Sequence, residues 1–212
     1  METTNNDFSF DNRVFINCPF EDSYNNLFNA SIFTVLACGF YPISALEYND
    51  GSLRLEKIYD LVKGCRYGIH DLSMVTLDTK NNLPRFNMPF ELGVDYGCKA
   101  YGAGSAKRKR FLLFESSKHE LGKYLSDLAG CDPVCHQGIP ENVITEVRKW
   151  LFNTVSESDE YHLLPGEKRI QKDFNAFLGE LPTTCMDSHI DPTSISYKNM
   201  VSLMRGWINR LS

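Results

Sequence analysis

No stretch of the 212-residue chain approaches the roughly 20 consecutive apolar residues that cross a bilayer as a helix, so no membrane span is expected. An excess of positive charge is missing as well. The formal net charge is -5, which gives no general reason to expect a nucleic-acid backbone as partner, since such binding needs a basic face. Residues 1–12 are polar and acidic and resemble neither a signal peptide nor a basic transit peptide. The seven cysteines are odd in number, scattered and without a Cys-x-x-Cys pair, so neither a disulfide framework nor a structural zinc site is expected. Cys18, Cys38, Cys65 and Cys98 stand among apolar residues, where a reduced thiol acts as a small hydrophobe. A reducing cytoplasm is the simplest compartment. Also lacking are a Gly-x-x-x-x-Gly-Lys-Ser/Thr phosphate loop and a Gly-x-Ser-x-Gly elbow, which argues against P-loop and serine-hydrolase chemistry.

What is present is a regular alternation. Arg13-Val14-Phe15-Ile16-Asn17-Cys18 reads as a buried strand closed by Pro19. Residues 24–38 carry apolar side chains at helical spacing and stop at Gly39. A second strand over 42–46 ends in the turn-like Asn49-Asp50-Gly51, and a helix follows over 53–62. Tyr67-Gly68-Ile69-His70-Asp71-Leu72 forms a third strand, with a polar loop from Ser73 to about Asn87. Pro89 suits the first turn of a helix, where its missing N–H has no partner to lose, and that helix runs to about Ala100. Arg110-Phe111-Leu112-Leu113-Phe114 is the clearest buried strand. A helix over 120–129, a short strand Val134-Cys135-His136 and an amphipathic helix over 142–154 complete the pattern.

One helix between each pair of strands implies parallel strands joined by right-handed crossovers. The expected fold is therefore α/β: a doubly wound, five-stranded parallel sheet of flavodoxin-like type, spanning residues 1–155. Residues 156–212 open with a polar break and read as a C-terminal helical extension, with helices over 168–178 and 196–211. In such sheets ligands bind outside the carboxyl ends of the strands. Those ends carry Asn17-Cys18-Pro19-Phe20, residues 47–51, His70-Asp71-Leu72-Ser73 and Glu115-Ser116.

Three polar residues stand out there. Asp71 ends the third strand at the ligand edge, and Asn87 and Glu91 lie four apart, on one face of a helix start. Glu91 sits between Phe90 and Leu92, and a carboxylate in dry surroundings can serve as nucleophile, acid or electrostatic stabiliser. Two carboxylates facing one glycosidic carbon are the minimum set for cleaving its bond. Spacing alone equally allows Asp71 to cap the following loop and Glu91 to neutralise a helix N-terminus.

Ile69-His70-Asp71-Leu72-Ser73, a loop, and then Asn87-Met88-Pro89-Phe90-Glu91-Leu92-Gly93 resemble the nucleoside 2-deoxyribosyltransferase-like and TIR-like superfamily. Val14 to Phe20 is similar to that group's first strand and ligand-side loop, and the resemblance covers roughly residues 13–130. It implies that Glu91 attacks or stabilises C1′ of a ribose, that Asp71 contacts sugar or base, and that Asn87 orients the glutamate or holds a hydroxyl. Asn17, Pro19, Phe20, His70 and Ser73 then line the ligand, with Arg54 and Arg85 placed to neutralise a phosphate. The chain departs from the pattern at His70, where the group has a small residue, and at Pro89.

The function so implied is cleavage or transfer of an N-glycosidic bond of a nucleotide, nucleoside or NAD, with no cofactor and no metal. The alternative is a non-catalytic nucleotide-binding sensor or a subunit of a bacterial antiviral defence complex. A homo-oligomer or a partner protein is expected, because nucleoside enzymes of this type commonly complete their pocket with a neighbouring subunit.

Secondary candidates are a packed or proton-shuttling His70 and base stacking or core packing by Phe20 and Tyr24. Arg66 precedes its strand and is expected at the edge away from ligand. Lys107-Arg108-Lys109-Arg110 reads as a solvated lead-in to a strand, and Cys131, Cys135 and His136 lack metal-site spacing.

Overall fold

The computed structural model describes residues 8–47, 54–74, 85–128, 130–155 and 163–211. Five parallel strands, β1 (Arg13–Asn17), β2 (Tyr41–Ile43), β3 (Tyr67–Asp71), β4 (Arg110–Glu115) and β5 (Val134–Cys135), form one sheet in the order β2-β1-β3-β4-β5. Helices α1 (Asn25–Ala37), α2 (Arg54–Lys63), α3 (Asn87–Tyr101) and α4 (Leu121–Tyr124) make the crossovers; α5 (Pro140–Val155), α6 (Glu167–Asp187) and α7 (Tyr197–Asn209) follow. This is the doubly wound, flavodoxin-like α/β architecture with C-terminal helices. Strand order reverses between β1 and β3, which pair in parallel from Val14↔Tyr67 to Asn17↔His70. That switch point is where such sheets open a crevice.

The core explains the pattern of residues. All five residues of β3 are buried, as a central strand covered on both faces demands. Because α1 is buried on nearly all sides, its polar Ser31 and Thr34 bond back to the carbonyls of Leu27 and Ala30. Phe33 explains why: its ring meets Phe174 and Phe177 of α6 and Trp207 of α7 at 5.4–5.9 Å. The C-terminal helices thus share one hydrophobic core with the sheet and α5. On the opposite face α2 packs beside α3.

Three elements differ from expectation. β2 is only three residues long, and its Pro42 is tolerated because β2 is an edge strand. The Pro42 carbonyl instead accepts the Tyr197 hydroxyl at 2.8 Å. Helix α4 stops at Tyr124, since Leu125 leaves helical geometry, and a separate 3-10 turn spans Ser126–Leu128. Helix α6 runs nine residues past its expected end, through Pro182 to Asp187, because buried Cys185 extends the apolar stripe of Ile170, Phe174 and Phe177. The Asn49-Asp50-Gly51 turn, most of the loop before α3 and the polar break at 156–160 lie outside the described residues.

Candidate functional site

Strand geometry sends consecutive side chains to opposite faces, and β3 applies this to His70 and Asp71. Asp71 turns toward the α1 side. Its Oδ2 accepts the Tyr24 hydroxyl, His136 Nε2 lies 3.0 Å from the same oxygen, and Oδ1 accepts the Ser73 amide at 2.8 Å. The His136 N–H is not well aligned on the oxygen, so that contact is more electrostatic than directional. His136 Nδ1 accepts the Gly138 amide at 2.9 Å, which leaves Nε2 as the ring N–H facing Asp71. Burial alone pushes the Asp71 carboxyl up. The contact and charge interaction with His136, and the bonds from Ser73 and Tyr24, outweigh it and hold the carboxyl below its ordinary value.

His70 turns toward α3. Asn17 Nδ2 donates to the Met88 carbonyl at 2.9 Å and meets His70 Nδ1 at 3.0 Å. With the Asn17 amide oriented by that carbonyl, His70 Nδ1 must accept, and its Nε2–H meets Asp95 Oδ2 at 3.1 Å. The other Asp95 oxygen lies 3.0 Å from Lys109 Nζ. Lys109 is fully buried and donates to the Val62 carbonyl at 2.7 Å and to the Cys65 carbonyl, while its contact with Asp95 is an ion pair rather than an aligned hydrogen bond. Gly68 makes room: a Cβ there would lie 2.6 Å from Asp95 Oδ2 and 2.7 Å from His70 Nε2. Lys109 therefore corrects the expectation of a solvated basic run. Arg108 does pair at the surface, with Asp11 at 2.6 Å.

Glu91 stands one helical turn above Asp95 on α3 and is 4% exposed, while Asn87, one turn further up, is exposed. Cys18, just past β1, links the two carboxylates. Burial, then the charges of Asp71 and Glu91, push its thiol well up, which keeps it protonated and poorly nucleophilic. Asp71 and Glu91 thus both act by their charge on Cys18, which follows Asn17 at the carboxyl end of β1.

The other candidates lie around this centre. Pro19 is buried, and Ser73 is half-buried in the turn closed by its own amide. Phe20, 37% exposed, meets Phe28 edge-on at 5.8 Å and lines a groove of about 630 Å³ between the start of α1 and the α6–α7 connection. Arg85 pairs with Glu21, beside Phe20. Arg54 opens α2, but its side chain lies outside the described residues. Tyr24 is a core residue rather than an exposed stacking platform. Arg66 pairs with Asp11 at 3.2 Å, at the amino end of its strand. Cys131 and Cys135 turn elsewhere, to the Tyr96 hydroxyl at 3.1 Å and the Ser116 carbonyl at 2.7 Å.

Three residues of these networks escaped the sequence reading. His136 follows β5, so the strand-end rule that selected Asp71 covers it too. Asp95 had a signal: with Met88, Glu91 and Leu92 it falls on the buried stripe of α3, and an acid there needs a buried partner. Nothing local separates Lys109, its partner, from its basic neighbours.

No family model matches the chain, and no curated protein matches it. Among the described residues no helix is long and apolar enough to cross a membrane.

Proposed function

We propose that the β1–β3 crevice cleaves or transfers the N-glycosidic bond of a nucleotide, nucleoside or NAD, with Glu91 as the carboxylate that engages C1′. The observation that carries this reading is the placement of two buried carboxylates, Asp71 and Glu91, at the switch point of a parallel sheet. Carboxylates are rarely buried without a task or a partner. The Asn87-to-Gly93 run resembling the nucleoside 2-deoxyribosyltransferase-like and TIR-like superfamily agrees with it.

In this reading a Glu91 oxygen attacks C1′ as the C1′–N bond breaks. The electron pair leaves with the base; the base of a nucleoside or nucleotide takes up a proton, whereas nicotinamide leaves the cationic ring of NAD already neutral. Water or an acceptor hydroxyl then attacks C1′, releases Glu91 and gives up its own proton. Asp71 and Asn87 orient the sugar. Incubating the protein with NAD, nucleotides and nucleosides, and detecting free base by mass, tests it. Glu91→Gln should lower turnover by roughly 10²–10⁴-fold, the range for losing a positioned carboxylate; a folded variant with full turnover rules the mechanism out.

One observation favours a second reading. Asp71 is already engaged by Tyr24, His136 and the Ser73 amide, as in a site built to hold a nucleotide rather than to react with it. Tight nucleotide binding with no product after long incubation would select a sensor, acting through an oligomer or a partner protein.

A further inference from the structure

The geometry points to Tyr24 and His136 as positioning residues of the crevice, a two-sided clamp that fixes the Asp71 carboxylate at the end of β3. The inference rests on the reading of the crevice as the reacting site and adds to it the corner between β5 and α5, which no sequence motif marks.

Tyr24 reaches Asp71 from the start of α1, and His136 reaches it from the end of β5. The two rings meet edge-on at 6.4 Å, and Phe114 of β4 backs His136 at 5.4 Å. Among the described residues the Tyr24 hydroxyl and His136 Nε2 meet no polar side chain other than Asp71. Tyr24 spends its hydroxyl on Asp71, and burial, then the Asp71 charge, push that phenol well up, so it remains a donor. His136 is fixed from behind: Gln137 and Gly138 adopt left-handed φ of 56° and 70°, which folds the Gly138 amide back onto Nδ1. The His136 carbonyl is held as well, by Asn142 Nδ2 at 3.1 Å and the Ile139 amide at 3.0 Å. With Nδ1 engaged by the Gly138 amide and Nε2 facing Asp71, both ring nitrogens are held within the protein. It acts through Asp71.

The clamp also distributes the carboxylate's acceptors. Oδ2 serves the two side chains, whereas Oδ1 serves only the Ser73 amide. A carboxylate oxygen can accept two bonds, so Oδ1 is the edge left for a sugar hydroxyl. Of titratable groups, Asp71 is faced by Tyr24 from just before α1, by His136 from the end of β5 and by Cys18 from beyond β1, and Cys18 in turn feels the charge of Glu91 on α3.

The test uses Tyr24→Phe, His136→Leu and His136→Gln in the full chain, with the Asp71 carboxyl followed by ¹³C NMR titration and base release measured from NAD, a nucleoside and a nucleotide. Tyr24→Phe keeps the ring and serves if His136→Leu fails to fold. Tyr24→Phe and His136→Leu should both move the Asp71 titration to higher pH, and His136→Gln, which keeps an N–H, should restore part of it. On an active substrate kcat should fall by up to about 100-fold, as expected for displaced reacting groups. KM should stay nearly constant, and the acid limb of the kcat profile should rise with the Asp71 titration. An unmoved Asp71 titration overturns the clamp. So does a loss confined to KM. If wild-type protein releases no base from any probe, the glycosidic reading fails by itself, and the Asp71 titration alone decides the clamp.

Discussion

His70 and Asp71 are neighbours in the chain, yet they anchor two buried polar networks that differ in kind. On the α3 face, Asn17, His70, Asp95 and Lys109 form a closed line in which a carboxylate and an ammonium face each other deep in the protein. On the α1 face, Asp71 is met by a phenol, an imidazole and an amide, and its charge, like that of Glu91, acts on the Cys18 thiol. The first network neutralises itself and ties α3, through the Met88 carbonyl, to the end of β1. The second concentrates negative charge at the ligand edge. A parallel sheet thus separates a self-neutralising network from a proposed site by one residue of register.

The largest expected effect falls on the self-neutralising side. Lys109→Met should strand Asp95 without its cation and leave two buried carbonyls short of a donor, costing about 3–5 kcal/mol, the usual penalty for breaking a buried pair from one side. Urea unfolding measures it. A loss below about 1 kcal/mol would mean that Asp95 finds other compensation, outside the usual range for such a break, and the contrast between the faces would shrink.

Tyr24→Phe on the other face should cost about 1.5–3 kcal/mol at neutral pH, the value of a hydrogen bond to a charged group. Here the pH dependence distinguishes the networks. Asp71 binds its proton more weakly in the folded protein than in the unfolded chain, so its stabilisation is complete above the unfolded carboxyl value near 3.9 and drains away as pH falls through the lower folded value. The gap between wild type and Tyr24→Phe should therefore be constant from about pH 5 upward and close in more acid solution. Thermal unfolding at a series of pH values reads this directly, and a gap that persists unchanged into acid would detach Tyr24 from the Asp71 charge.

Much of this was readable before the structure. Alternating strands and helices, with Gly39 and Pro19 as punctuation, were enough for the fold class, because periodicity is a local signal. The strand-end rule was enough to single out Asp71 and Asn17. What escaped depends on contacts distant along the chain. The partner of His70 lies 25 residues away and that of Asn17 lies 71 away, and no local pattern encodes either. The length of α6 escaped for a related reason: Pro182 is a local stop signal, overridden by tertiary burial of Cys185. His70, read as a departure from a family pattern, is accounted for by Gly68 two residues before it on the same face, which leaves the space that the imidazole and Asp95 fill.

Gly68→Ala sharpens the comparison most finely, because it should strike one network and spare the other. The new methyl would meet Asp95 Oδ2 at 2.6 Å, His70 Nε2 at 2.7 Å and Phe111 Cδ1 at 3.2 Å. The contacts involve side chains rather than backbone, so partial relief by rotation of His70 is available, and the cost should be about 1–3 kcal/mol, as for other overpacked cores. A double-mutant cycle carries the argument further. Paired with Lys109→Met, Gly68→Ala should be non-additive by about 0.5–3 kcal/mol, since both disturb Asp95. Paired with Tyr24→Phe, it should add to within about 0.5 kcal/mol, because the Tyr24 hydroxyl and the space at Gly68 share no partner across the sheet. Strong coupling in that second pair would show that β3 transmits between its faces, and His70 would then belong to the site as well as to the scaffold.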